Sequence, residues 1–102
     1  MQISTAEDAD RLILKLNGRF DFHSHRDFRA AYEQALVSGK ARTIEVDFQR
    51  VDYLDSSALG MLLLFREKAD ASGKQIVLTG LKGTVKQVLD VANFGKLFTI
   101  KA

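Results

Sequence analysis

Cysteine and proline are both absent from the 102 residues of this chain. Without cysteine, the chain can form neither disulfides nor thiolate metal sites. No apolar run approaches the roughly 20 residues that a membrane-spanning helix needs. The first ten residues (MQISTAEDAD) also lack the basic and apolar regions of a signal peptide. We therefore expect a cytoplasmic protein that does not insert into a membrane.

An excess of charge of one sign is also missing. The sequence has 15 basic and 13 acidic residues, and the basic ones are scattered, with no run longer than residues 40–42 (KAR). Nucleic-acid-binding proteins usually carry a dense basic face, so we expect no direct contact with nucleic acid. No low-complexity linker or internal repeat divides the chain, and its length suits one domain over residues 1–102.

The sequence does contain clear periodic patterns, and the first predicts strands. Residues 11–18 (RLILKLNG) alternate leucines with other side chains, as a strand with one more apolar face does. The Asn17-Gly18 pair predicts a turn, followed by a short extended piece. Residues 2–8 predict a partner strand, joined through a hairpin turn at residues 8–10.

The period changes after Ser24, where a helix is expected. Apolar residues recur with helical spacing at Phe28, Ala31, Tyr32, Ala35 and Leu36. Ser24 is expected to cap the start of this helix, with Asp27 near its positive end. Gly39 suits the left-handed position that commonly follows a helix.

A second strand and a second helix follow. Residues 43–48 (TIEVDF) alternate and contain β-branched residues that favour a strand. The helix is expected to begin at Ser56 or Ser57 and to stop at Gly73. Its apolar residues extend around most of the cylinder, so we expect burial on more than one side, with Leu62 and Leu63 both in the core.

The last third of the chain continues the alternation of strand and helix. Residues 75–80 (QIVLTG) predict a strand buried on both faces. Residues 84–95 predict a third helix, with Thr84 and Gln87 as a capping box, and residues 97–100 a last short strand. This order predicts an α/β fold, with helices packed against a mixed, mostly parallel β-sheet and an antiparallel hairpin at one edge.

Two adjacent serines, Ser56 and Ser57, stand between Asp55 and the apolar helix. A serine here commonly caps the helix, which is worth about 1 kcal/mol. A helix start also suits phosphorylation, because its free N–H groups can hold a phosphate. A hydrolase nucleophile is the third reading, but DSSAL does not match G-x-S-x-G and the domain is small for a substrate cleft. We therefore expect no catalytic residue.

The histidines of the HSH segment, His23 and His25, are the other residues with chemistry of interest. On a strand, alternate residues point to the same side, so two imidazoles there could share a metal ion. Further ligands would be needed, and neither a cysteine nor a third histidine exists. We expect no metal site, and a contribution of this segment to partner contact instead.

The chain resembles the STAS domain over nearly its whole length, most clearly in residues 51–100, and in particular it resembles the stand-alone anti-sigma factor antagonists of bacteria. The pattern that carries the resemblance is Asp-Ser-Ser/Thr-Gly-Leu-Gly between an extended segment and a helix, read here as residues 55–60 (DSSALG). An upstream G-x-x-D is matched by residues 18–21. Two positions depart from the pattern: Ala58 replaces a common glycine, and Arg19 replaces a common acid.

The resemblance implies a function by partner switching. Ser56 would be the phosphorylated residue, directly after the motif aspartate. The unmodified protein would bind an anti-sigma factor with a serine-kinase fold, phosphorylation would release it, and a PP2C-type phosphatase would restore binding. ATP would belong to the kinase, so no cofactor is expected. The residues implied in partner binding are Asp21, His23, Ser24, Asp55, Ser56, Ser57 and Leu59.

A second interpretation remains open. The chain would then be a STAS subunit or scaffold of a membrane transport complex, such as the small cytoplasmic partner of a lipid-transport ATPase, and would need no phosphorylation.

Overall fold

A computed structural model describes residues 1–101 of the chain. Its strands are β1 (Gln2–Asp8), β2 (Arg11–Phe20), β3 (Thr43–Leu54), β4 (Gln75–Thr79) and β5 (Thr99–Ile100). Its α-helices are α1 (His25–Leu36), α2 (Ser56–Ala71) and α3 (Gly83–Val91). Short 3₁₀ helices, Phe22–Ser24 and Phe94–Lys96, precede α1 and β5.

The strands form one mixed sheet in the order β1-β2-β3-β4-β5. β1 pairs antiparallel with β2 as a hairpin, whereas β2, β3, β4 and β5 run parallel to one another. This is the α/β fold that the sequence predicts, with the antiparallel pair at one edge. Each strand after β2 is reached through a helical crossover, as parallel pairing requires.

The core lies between one face of the sheet and the helices. Ile44, Val46 and Phe48 of β3 are completely buried, as their alternation predicts. They belong to one apolar cluster with residues of all three helices, among them Leu62 and Leu89. Burying this face of the sheet is the main driving force of the fold, because apolar burial contributes roughly 25 cal/mol per Å².

The opposite face of the sheet carries a polar network across three strands. Arg11 Nη1 donates a hydrogen bond of 2.9 Å to Glu45 Oε1, and the Thr79 hydroxyl donates one of 3.1 Å to Glu45 Oε2. Glu45 points away from the core that Ile44 and Val46 enter, because successive side chains of a strand alternate in direction. This face is therefore held by side-chain hydrogen bonds.

The turn predicted at Asn17-Gly18 is wrong. β2 continues through this pair to Phe20. The pairing with β3 shifts register on both sides of the pair, which marks irregular, bulged pairing. Gly18 has a φ of 108°, a conformation that glycine adopts readily and other residues do not. Gly18 thus marks a bulge inside β2. The strand continues to Phe20, so Asp21 lies directly at its end.

Three predicted helix ends also differ from the structure. Ser24 is the N-cap residue of α1, as expected, but its side chain makes no capping bond to the helix. The predicted capping box of Thr84 and Gln87 does not form, because α3 begins one residue earlier, at Gly83. Gly39 does not have a positive φ, whereas Gly73 after α2 does, with a φ of 71°. The Ser24 hydroxyl is instead bonded to Asp21 and Arg19. In the other two cases the residue type favours a cap, but the chain enters or leaves the helix at another residue, Lys82 for α3 and Val37 for α1.

Helix α2 is buried on one side, not on several. Its buried residues are Ala58, Met61, Leu62, Phe65 and Ala69. Leu63 and Leu64 remain 38% and 41% exposed, so the expected burial of Leu63 is wrong. The reason is geometric, because only one side of α2 faces the sheet and α1. Within residues 1–101, no helix is both long and apolar enough to cross a membrane.

Candidate functional site

The sequence-predicted site residues meet where the parallel strands β2 and β3 end, at the carboxyl-terminal edge of the sheet. β2 and β3 are parallel neighbours whose ends coincide, with Phe20 paired to Leu54. The segment after β2 and the start of α2 therefore leave the sheet side by side. Asp21, His23 and Ser24 follow β2, and Asp55 to Leu59 follow β3. Residues separated by more than 30 positions in sequence thus form one surface, as expected for the carboxyl ends of parallel strands.

Asp55 links these two segments through hydrogen bonds. Its Oδ1 accepts a hydrogen bond of 3.1 Å from the Ala58 N–H, and its Oδ2 accepts one of 3.3 Å from the Phe22 N–H. Its own N–H donates to the Phe20 carbonyl at 3.3 Å. Asp55 is therefore the N-cap of α2. One interpretation from sequence alone assigned this role to a serine. The Asp55 carboxylate also holds the start of the first 3₁₀ helix.

Ser56 is the first residue of α2, and its side chain is exposed. Because Asp55 provides the cap, the Ser56 hydroxyl is not needed to hold the helix. The first N–H groups of any helix lack partners within it and carry partial positive charge. Ser57 is adjacent but half-buried. The structure thus distinguishes the two serines by accessibility, with Ser56 the more open of the pair.

Asp21 and Ser24 form the turn that leads from β2 into α1. Asp21 Oδ1 accepts a hydrogen bond of 3.0 Å from the His23 N–H, while the Ser24 hydroxyl accepts one of 3.2 Å from the Asp21 N–H. The same hydroxyl donates to the Arg19 carbonyl at 2.9 Å. Ser24 is only 1% exposed. It supports this segment from inside, whereas Asp21 and His23 lie nearer the surface.

His23 and His25 do not share a strand. His23 lies in the first 3₁₀ helix and His25 begins α1, and both are exposed. The alternation argument for a shared metal ion therefore does not apply to them. In the part of the chain that the structure describes, no three histidine, aspartate or glutamate residues cluster in a way that could hold a metal ion.

Two exposed aromatic residues at this edge were not identified from the sequence. Phe22 is 70% exposed and Tyr53 is 38% exposed. The Arg19 guanidinium lies 4.0 Å from the centre of the Tyr53 ring, and its Nε is 3.7 Å from Asp21 Oδ2. The missed signal was the length of β3. A β3 strand that continues to Leu54 pairs Tyr53 with Arg19 and so places Tyr53 near the site.

The fold and this edge define a small α/β domain with an exposed serine at a helix start, and the chain belongs to the STAS domain family. The family model described as "Mlab, STAS domain" matches residues 3–99. The resemblance inferred from the sequence is thus confirmed.

Curated relatives agree with this assignment. A STAS-domain containing protein of Pseudomonas aeruginosa (strain UCBPP-PA14) is 44% identical, over 91% of this chain and 90% of the relative. An anti-sigma F factor antagonist of Paenibacillus polymyxa is 23% identical, over 98% of this chain and 86% of the relative.

Solved structures share the fold at low sequence identity. The unphosphorylated form of the anti-sigma factor antagonist SpoIIAA has a TM-score of 0.74 at 22% identity, covering 99% of this chain and 88% of SpoIIAA. The phosphorylated form of Bacillus SpoIIAA has a TM-score of 0.73. A sulfate transporter family protein from Wolinella succinogenes has a TM-score of 0.71 at 19% identity, covering 82% of this chain and 67% of that protein.

Proposed function

We propose that this STAS domain is an anti-sigma factor antagonist that works by partner switching. The unmodified chain binds an anti-sigma factor with a serine-kinase fold and thereby frees a sigma factor. That partner phosphorylates Ser56 with its own ATP, and the complex dissociates. A PP2C-type phosphatase removes the phosphate and restores binding. The chain acts as a cytoplasmic bacterial phosphoprotein in transcription regulation.

The observation that carries this proposal is the division of roles between Asp55 and Ser56. Asp55 caps α2 and holds the neighbouring segment through the Phe22 N–H, so Ser56 makes no contribution to the cap. Its exposed hydroxyl is available to a kinase without local unfolding. A serine with this placement suits reversible modification better than a structural role.

The geometry also explains why phosphate at Ser56 would act on binding. A phosphoserine adds about −1.5 to −2 charges at pH 7. The first turn of α2 tolerates that charge through its free N–H groups. A partner packed over Ser56 would instead enclose the charge beside Asp55, and an enclosed charge without a counter-charge disfavours binding. The proposed partner surface comprises Asp21, His23, Asp55, Ser56, Ser57 and Leu59, with Ser24 beneath it.

The relatives support the proposal without testing it. The Paenibacillus polymyxa relative is named an anti-sigma F factor antagonist. SpoIIAA, which shares this fold, has been solved both without and with phosphate.

We predict that Ser56 is the residue labelled in a kinase assay. The chain is incubated with ATP and a purified anti-sigma factor of serine-kinase fold from the same organism, and the phosphate is mapped by mass spectrometry. Ser56→Ala should abolish labelling because it removes the more accessible hydroxyl of the pair. Ser57→Ala is the matched control and should retain most of it. Phosphate on Ser57 would show that the assignment is off by one residue.

A second candidate function is a subunit or scaffold of a membrane transport complex. The observation that favours it is the shared fold of the Wolinella succinogenes sulfate transporter family protein. This function would use a similar surface but no phosphate. A phosphate-affinity gel of the protein from cells separates the two. A retarded band lost in Ser56→Ala supports partner switching, while a single unretarded band together with copurification of membrane transport subunits supports the alternative.

A further inference from the structure

Gly60 lies in the middle of the solvent-facing side of α2. The buried stripe of this helix runs through Ala58, Met61, Leu62, Phe65 and Ala69. At 3.6 residues per turn, the opposite side is formed by Ser56, Gly60, Leu63, Leu64 and Glu67. Gly60 is thus one turn after Ser56 on the same side, about 6 Å along the helix axis.

Within residues 1–101, nothing requires glycine at this position. Glycine destabilises a helix interior relative to alanine, because it loses more backbone freedom on folding. Gly60 is not among the residues with a positive φ. A Cβ built on it would meet no atom within 4 Å among the described residues. Neither backbone conformation nor internal packing therefore accounts for the missing side chain.

The same side of α2 also exposes apolar side chains to solvent. Leu63 and Leu64 follow Gly60 directly along the exposed side, and more than a third of each side chain is accessible. Together they place apolar surface within about two turns of Ser56. Exposed apolar residues grouped beside a functional site commonly mark a contact with another protein.

We propose that Gly60 is the point where the backbone of the kinase-fold partner approaches α2 most closely, with Leu63 and Leu64 as its apolar contacts. This inference rests on the proposed function. The occupant is the partner named by the proposed function, because a protein whose active site reaches the exposed Ser56 hydroxyl would lie against the next turn of the same side of α2. Glycine at this position lowers the stability of the helix but lets the backbone of the partner approach closely.

The test is Gly60→Ala, compared with Gly39→Ala. Gly39 also lacks a positive φ and also has nothing within 4 Å of an added Cβ, but it lies between α1 and β3, away from Ser56. Gly60→Ala should raise Tm by a few degrees, because it removes backbone freedom from the unfolded chain. It should nevertheless bind the purified anti-sigma factor of serine-kinase fold at least tenfold more weakly. Gly39→Ala should bind like the wild type.

Four outcomes would overturn this inference. Equal affinity of Gly60→Ala and the wild type removes the role of Gly60 and leaves the phosphorylation switch intact. Weaker binding accompanied by a lower Tm means that the fold itself needs glycine at position 60, which contradicts the premise that glycine is present for the partner. A wild-type dimer in sedimentation velocity that Gly60→Ala dissociates means that a second copy occupies this side. A wild type that binds no such partner removes both proposals.

The experiment also separates a failure of the phosphorylation switch from a failure of the contact at Gly60. If Gly60→Ala weakens binding as expected while Ser56 is never phosphorylated, the contact at Gly60 stands and the phosphorylation switch fails.

Discussion

At the scale of single residues, the neighbouring Asp55 and Ser56 have separate tasks. Asp55 accepts hydrogen bonds from two backbone N–H groups that belong to different segments, those of Phe22 and Ala58. Ser56 begins the helix with an exposed side chain. A substitution at either position changes a short polar side chain at the same edge of the sheet, but only one of them should affect the stability of the fold.

We predict that Asp55→Ala lowers the free energy of unfolding by about 1–2 kcal/mol, the usual cost of losing a helix cap. Ser56→Ala should stay within about 0.5 kcal/mol of the wild type, as surface substitutions outside such features do. Urea unfolding followed by circular dichroism measures both. A larger loss for Ser56→Ala than for Asp55→Ala would mean that the serine carries the cap.

At the scale of elements, α2 shows how a helix rich in apolar residues can still have one buried side. Leu62 is fully buried and Leu63 is 38% exposed, although the two are adjacent in sequence. The apolar pattern predicted that both would be in the core. The sequence could not show which of the two faces the sheet, because apolar residues occur around most of the helix.

We predict that Leu62→Ala lowers the free energy of unfolding by about 2–5 kcal/mol, because it leaves a cavity in the core. Leu63→Ala, an identical change one residue later, should cost less than about 1 kcal/mol. Denaturant unfolding of the two variants tests the orientation of α2. Equal losses would show that the helix is rotated relative to this structure.

Helix α1 contains a buried tyrosine whose ionisation should affect stability. Tyr32 is stacked on Phe65, with ring centres 4.8 Å apart. Burial raises the pKa of the Tyr32 hydroxyl above its usual value of 10.0, opposed by the charge of Arg29 and reinforced by that of Glu33. In the unfolded chain the hydroxyl loses its proton near its usual pKa, whereas the folded chain retains it. Stability should therefore fall as the pH rises above about 10.

We predict that Tyr32→Phe reduces this alkaline loss of stability, because the folded and unfolded states then no longer differ in proton binding at this position. The measurement is urea unfolding of both proteins from neutral pH to about pH 11. The wild type should lose more stability than the variant over the alkaline part of this range. Parallel curves for the two proteins would contradict the assignment to Tyr32.

The comparison of sequence and structure shows which signals are reliable at the scale of elements. The order of strands and helices follows from periodicity, because alternation and helical spacing report burial over many residues. Local signals were less reliable. Asn17-Gly18 has the composition of a turn but lies within β2, where pairing with β3 outweighs the local preference. Thr84 and Gln87 have the spacing of a capping box, but α3 begins before them.

The candidate site was predictable only in part, for a related reason. The pattern around Asp55 and Ser56 is local in sequence and therefore visible. Phe22 and Tyr53 reach the same edge only because β2 and β3 end together, with Arg19 paired to Tyr53. Their position depends on strand length and register, which a single sequence specifies poorly. The contact of Arg19 with the Tyr53 ring depends on the same register.

At the scale of the whole molecule, the topology separates the site from the core. The apolar cluster lies between the helices and one face of the sheet, whereas the site lies at the edge where β2 and β3 end. A modification at this edge adds charge outside the cluster. The fold can therefore present two chemical states of one surface without a change in its core packing.

We predict that phosphorylation of Ser56 changes the free energy of unfolding by no more than about 1 kcal/mol, because stabilisation by the α2 N-terminus and repulsion by Asp55 oppose each other. Binding to the kinase-fold partner should fall much further, since the partner would enclose the added charge. Ser56→Asp should imitate this in part, with a Tm near that of the wild type and affinity at least tenfold weaker, while Ser56→Ala keeps binding. Thermal unfolding and calorimetric titration measure the two effects separately. Equal affinities for the alanine, aspartate and phosphorylated forms would exclude the switch, because a charge that leaves the affinity unchanged is not enclosed by the partner.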